Sequence, residues 1–173
     1  MRPAMLWGTA LLTLISACSP DAPGETSDAG VPALAPGGAS FERFSYSNNA
    51  GTRSYKLFVP AGAIGAGPHP LIVDLHGCNS SADEEARWSR FNRYAETDTF
   101  LVAYPEQSTD ANGSDCWNWF WPTQQRRDSE EPSLTAGIAD TIAQPHHARP
   151  DLTYITSITA VAATPTLVAL HSP

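Results

Sequence analysis

Three short stretches hold residue types able to carry out acyl-transfer chemistry. The first is His76-Gly77-Cys78, directly after the apolar run Leu71–Leu75. A backbone N–H in a glycine-containing turn can point at a developing oxyanion, although Gly77 could equally do no more than end a strand. The second is Tyr104-Pro105-Glu106-Gln107, followed by Cys116-Trp117-Asn118-Trp119-Phe120-Trp121. Four aromatics in five residues make either a loop-bound mini-core or an apolar platform lining a cleft. Both hold if one tryptophan packs while another faces ligand. The third is Ser157-Ile158-Thr159-Ala160-Val161. A threonine hydroxyl is a nucleophile when a base activates it. Thr159 is β-branched, however, which suits a strained turn poorly. Downstream of it stand no Asp, no Glu and one histidine, His171. Upstream, His146-His147 between Pro145 and Pro150 read as solvated loop histidines.

These stretches need elements to hold them. Ser40–Tyr46 and Arg53–Pro60 read as strands joined by the turn chemistry of Asn48-Asn49-Ala50-Gly51. Leu71–Leu75 and Phe100–Tyr104 read as strands buried on both faces. Between them Ser81-Ala82-Asp83-Glu84 is a capping box. It opens a helix whose Trp88, Phe91, Tyr94 and Ala95 repeat at helical spacing. Asp83-Glu84-Glu85 reads as a charge run favourable to the helix dipole. A second helix is predicted from Pro132, with Leu134, Ile138 and Ile142 on one face. A strand follows over Thr153–Ile158, and then a helix over Ala160–Leu170 interrupted by Pro165. A hairpin followed by alternating strands and helices predicts an α/β domain with a mostly parallel sheet and helices on both faces. On such sheets ligands sit at the carboxyl ends of the strands, where the three stretches fall.

Composition narrows the possible partners. Of 173 residues, 42% are hydrophobic and 16% charged, which excludes a disordered polyelectrolyte. The net charge of −8, with Lys56 as the sole lysine, argues against nucleic acid. Residues 1–17 carry Arg2 and an apolar run from Ala4 to Ile15, which predicts a secretory signal peptide. Ile15-Ser16-Ala17-Cys18 resembles a bacterial lipobox, so Cys18 is expected to be lipidated and to tie the protein to a membrane. Residues 18–40, rich in Pro, Gly and Ala, read as a flexible tether, leaving 41–173 as the folded domain. In an exported chain the remaining pair, Cys78 and Cys116, favours a disulfide over free thiols or a metal pair. Asn79-Ser80-Ser81 and Asn112-Gly113-Ser114 fit a glycosylation sequon, discounted for a bacterial lipoprotein. Glu106, Asp110 and Asp115 match no metal spacing. No cofactor is expected.

Taken together, YKLFVPAG (Tyr55–Gly62), PLIVDLHGCNSSADE (Pro70–Glu84), FLVAYPEQS (Phe100–Ser108), CWNWF (Cys116–Phe120), QQR (Gln124–Arg126) and EPSLTAGI (Glu131–Ile138) form a pattern. It resembles the exported poly(3-hydroxyalkanoate) depolymerase and feruloyl-esterase-like branch of the α/β-hydrolases. The resemblance implies an ester hydrolase in which Cys78 supplies an oxyanion N–H and bonds to Cys116. It also implies that the loop with Trp117, Asn118 and Trp119, together with His76 and Gly77, lines the site of an ester substrate, polymeric or aryl. The corner that should read G-x-S-x-G holds Ser157, Thr159 and Val161. The expectation is therefore the N-terminal part of such an enzyme, divergent or truncated at its C-terminus and without a complete triad. Such a chain would hydrolyse nothing by itself, or would keep the aromatic loop as a binding surface. Its last strand would form an exposed edge, and the domain would be marginally stable.

Overall fold

The computed structural model describes residues 38–126 and 128–157. Cys18, the expected signal peptide, Thr159, His171 and the helix expected over 160–170 lie outside them.

Five described strands form one sheet in the order β1-β2-β4-β3-β5. They are β1 (Ser40–Asn48), β2 (Gly51–Val59), β3 (His69–Leu75), β4 (Leu101–Pro105) and β5 (Ala148–Ser157). Asn49 and Ala50 connect β1 to β2, and the Asn48 side-chain oxygen accepts the Ala50 N–H at 2.8 Å. Gly51 enters β2 at φ +126°, a conformation open to glycine and strained for other residues.

Two of the four strand pairings are antiparallel, β1–β2 and β2–β4, and two are parallel, β3–β4 and β3–β5. The sheet is thus mixed rather than mostly parallel. The hairpin joins through β2, while each helical crossover returns the chain parallel. All five residues of β4 are buried, as expected of a central strand. β5 is the last strand of the described sheet, and Tyr154 on it is 56% exposed.

Helix α3 (Glu130–Ala143) covers one face. Its Ile138 and Ile142 pack with Leu57, Leu71, Val73, Leu75, Leu101 and Trp117. Leu134, also fully buried, continues this apolar stripe. Each such side chain contributes about 1.5–3 kcal/mol by leaving water. α3 starts two residues before Pro132, which falls in the first turn, where the missing N–H needs no partner. Gly137 lets α3 approach β1: a Cβ there would lie 2.2 Å from the Tyr46 ring.

The opposite face carries α1 (Ala82–Ser89) and α2 (Phe91–Asp98). Half of the capping box forms, with Ser81 Oγ accepting the Glu84 N–H, while the Glu84 carboxylate accepts from the Ser80 and Ser81 hydroxyls. One continuous helix does not form, because Arg90 turns left-handed at φ 57°. The break redirects the aromatic stripe, and Trp88 and Tyr94 are left exposed. Ala82, Ala86 and Ala95 face the sheet instead. The sheet supplies the bulk there with Phe58, Val102 and Tyr104, so the helices approach with small residues.

Candidate active site

The site is built where β3 and β4 end. β3 runs out at Leu75, and His76 is fully buried immediately after it. Its Nε2 accepts the Gln107 backbone N–H at 2.9 Å, which places the ring proton on Nδ1. Nδ1 then donates to the Gly77 carbonyl at 2.7 Å. The ring clamps the exit of β3 to the exit of β4. Beyond it the chain surfaces at Cys78, whose backbone N–H makes no hydrogen bond among the described residues. Asn79 follows at φ 52° and donates its backbone N–H to the Ser114 carbonyl at 2.8 Å. Cys78 and Cys116 are joined by a disulfide. Turn and loop are thereby one covalent unit.

Trp117 anchors the loop. It is 1% exposed, and its Nε1–H donates to the His76 carbonyl at 3.1 Å. The expectation that Trp117 and His76 line a cleft is therefore corrected: their side chains are interior. Trp119 packs partly against the core and edge-on against Phe120. Phe120 and Trp121 stand outside, 48% and 57% exposed, with ring centroids 5.4 Å apart. The platform reading belongs to this second half of the motif, and Trp121 is its most exposed member.

Glu131, at the start of α3, organises the loop from below. One carboxylate oxygen accepts from Gln107 Nε2 and from Asn118 Nδ2, both at 2.6 Å. The other accepts the Asn118 backbone N–H at 2.8 Å. Buried Arg53 of β2 adds an ion pair at 3.6 Å. Gln124 accepts the Glu131 N–H at 2.9 Å, and Gln107 also holds the Cys116 carbonyl at 3.0 Å. A buried carboxylate with this many donors is satisfied, and so are the loop groups that would otherwise be orphaned.

A second acidic group lies on the α1 side of the same turn. Asp74 of β3 and Glu85 of α1 are each 1% exposed. Burial raises Asp74 to about 6, against weak help to the ionised form from Ser89 and Glu85. Burial and the neighbouring Asp74 raise Glu85 to about 8. Of the acidic run read as favourable to the helix dipole, Asp83 pairs outward with Lys56 while Glu85 turns into the core. Glu106 behaves oppositely. Burial works to raise it, but Arg43, Ser54 and the Ala82 N–H outweigh this and hold it below the ordinary carboxylate range.

Residues 53–173 match the protein family described as Esterase PHB depolymerase. The chain belongs to this family. Over 131 residues it is 30% identical to a poly(3-hydroxyalkanoate) depolymerase C from Paucimonas lemoignei, covering 75% of this chain and 30% of that one. Over 54 residues it is 39% identical to a poly(3-hydroxybutyrate) depolymerase from Delftia acidovorans, covering 29% of this chain and 11% of the relative. The chain thus spans less than a third of either relative's length. Its fold is similar to that of an S-formylglutathione hydrolase from Agrobacterium tumefaciens, with TM-score 0.63 and 15% identity, over 81% of this chain and 56% of that one. It is also similar to a ferulic acid esterase, with TM-score 0.57 and 10% identity, over 74% and 52%. The α/β-hydrolase fold is shown by these likenesses.

In this Esterase PHB depolymerase domain the HGC and CWNWF motifs come together as one covalently joined unit. Gly77, Cys78 and Asn118 lie within it. Sequence reading gave no role to Glu131, Arg53 and Asp74, named Gln107 only within its second stretch, and read Glu85 only as part of a helix-start charge run. Only the placement of charge inside otherwise apolar runs, as at Asp74 in LIVDL, could have signalled any of them.

Proposed function

We propose that residues 38–157 form the oxyanion and acyl-binding side of a carboxylic ester hydrolase acting on a hydroxyalkanoate polyester or a hydroxycinnamoyl ester. One observation carries this reading. The Cys78 N–H has no hydrogen bond among the described residues and stands at the carboxyl end of a buried strand, in a turn clamped by His76 and bridged to an aromatic loop. When a nucleophile adds to an ester carbonyl, negative charge collects on the carbonyl oxygen. A fixed N–H aimed at that oxygen costs no reorganisation as the charge develops, and one such donor is worth about 10²–10³ in rate. Phe120 and Trp121 offer apolar area for an acyl or polymer chain beside it.

The expected nucleophile position is Thr159, whose β-branched side chain suits a strained corner poorly. The reading is therefore that Thr159 turns no ester over and that the aromatic loop binds it. The apolar run before Cys18 supports an exported, lipid-anchored protein of a bacterial envelope. A second reading, a non-catalytic binding module, is favoured by the exposed pair Phe120 and Trp121.

The test is adsorption of the whole chain to polyhydroxybutyrate granules, alongside hydrolysis of short aryl esters. Adsorption that weakens in Trp119→Ala and Trp121→Ala, with no turnover, supports the proposal. Turnover abolished by Thr159→Ala would make Thr159 a working nucleophile and overturn the inactive reading. Absence of both binding and turnover would sink both readings.

A further inference from the structure

The polar cluster behind the His76–Cys78 turn takes no part in the chemistry above. Asp74 points from β3 toward the α1 face, where Glu85 meets it. Asp74 Oδ2 and both Glu85 oxygens find no conventional hydrogen-bond donor among the described residues. Neither group enters an ion pair there. The groups that act on the two carboxyls are each other, Ser89 of α1, Tyr104 of β4 and the Gly77 N–H. Tyr104 keeps its proton, because burial drives its hydroxyl far upward and the OH is committed to Asn92 Oδ1 at 2.8 Å. The Ser89 hydroxyl and the Gly77 N–H favour ionised carboxyls electrostatically without being aligned into hydrogen bonds. Two adjacent carboxylates in a water-poor site with no cation repel strongly, and one proton between them removes the repulsion and pairs an orphaned oxygen.

We propose that Asp74 and Glu85 share a single proton and act, through Gly77, as the positioning pair for the Cys78 turn. While the proton is held, α1 stays closed on β3 and the turn keeps its shape. When it leaves, two charges face each other behind the turn, with Asp74 two residues before His76, and the turn loosens. The proton passes to solvent, and no bond besides O–H breaks. The name of the turn's task rests on the ester-hydrolase reading, whereas the proton sharing does not.

The test is a nuclear magnetic resonance titration of the whole chain, following the Asp74 and Glu85 carboxyl carbons and the Gly77 amide. The two carboxyls should titrate in separate steps, as coupled sites do. The upper step should lie above pH 6, at least about two units over an ordinary carboxyl, and the Gly77 amide should follow it. In Glu85→Gln the amide should lose that step. Carboxyls that both titrate below about pH 5 would overturn the shared proton. A Gly77 amide that stays flat through the upper step would overturn the positioning role. Resonances that move on adding calcium would instead make the pair a cation site and overturn the proposal. None of these readouts depends on esterase activity, so a protein inactive toward every ester leaves the result intact.

Discussion

Glu131 and Glu85 are the same residue type, equally interior, on opposite faces of one sheet, yet the protein treats them differently. Glu131 meets donors on both oxygens and an arginine besides. Glu85 meets another acid. A buried carboxyl is stabilised either by importing donors or by keeping its proton. The first solution fixes a loop through amide donors and a guanidinium. The second makes local geometry depend on proton concentration. The Cys78 turn sits between the two solutions, held by the first through Gln107 and Cys116 and by the second through Gly77.

The sharpest way to break this comparison is to make one substitution on both faces. Glu131→Gln presents an NH2 group to donors and strands Arg53, so it should cost about 3–5 kcal/mol in urea unfolding. Glu85→Gln imitates the protonated form and should cost little at neutral pH. Equal losses would show that the two sites are not different in kind. Replacing both cysteines with alanine cuts the covalent tie between the turn and the loop. Over a separation of 38 residues that should cost about 3–4 kcal/mol on a chain-entropy account, read as a lower urea midpoint under oxidising conditions.

Gly137→Ala acts on the α3 face alone, because its methyl would collide with Tyr46. Overpacking of this kind should cost about 1–3 kcal/mol while leaving the pH dependence of stability unchanged. That dependence has a definite sign. The folded values of Asp74 and Glu85 lie above their unfolded ones, so their contribution is complete below about pH 4 and is lost as pH rises toward 8. Glu106, held low, contributes above its unfolded value and loses that contribution as pH falls. The urea midpoint should decline from pH 5 to pH 8, and Glu85→Gln should flatten the decline. A midpoint that rises over this window would contradict the pairing. The smallest effect is Trp121→Ala, an exposed truncation expected to stay within about 0.5 kcal/mol of wild type. It should lower granule adsorption severalfold.

Periodicity was enough for β2, β3 and β4 and for the inward face of α3, because apolar pattern and burial are the same physical fact there. It misjudged α1 and α2. The left-handed step at Arg90 carries no signal in residue type, and the alanines that do face the sheet are weak markers beside Trp88 and Tyr94. The HGC and CWNWF motifs were legible as a unit, but which tryptophan is interior was not, since Trp117 is chosen by a carbonyl 41 residues away. Glu131 and Glu85 were invisible for a related reason. A charge reads as solvated until its partners are known, and theirs arrive from other elements.

The Cys78–Cys116 bridge also determines what damage the molecule can survive. It closes a ring of chain that contains α1, α2, β4 and the turns around Asp110 and Gly113. A protease that cuts those exposed turns opens the ring without releasing a piece. Both ends stay attached, through sulfur on one side and through β4 on the other. The aromatic surface at Phe120 and Trp121 lies just past the bridge, so it keeps its mooring in a nicked chain. An exposed, sticky loop is thereby made tolerant of being cut, and only reduction together with cleavage would free it.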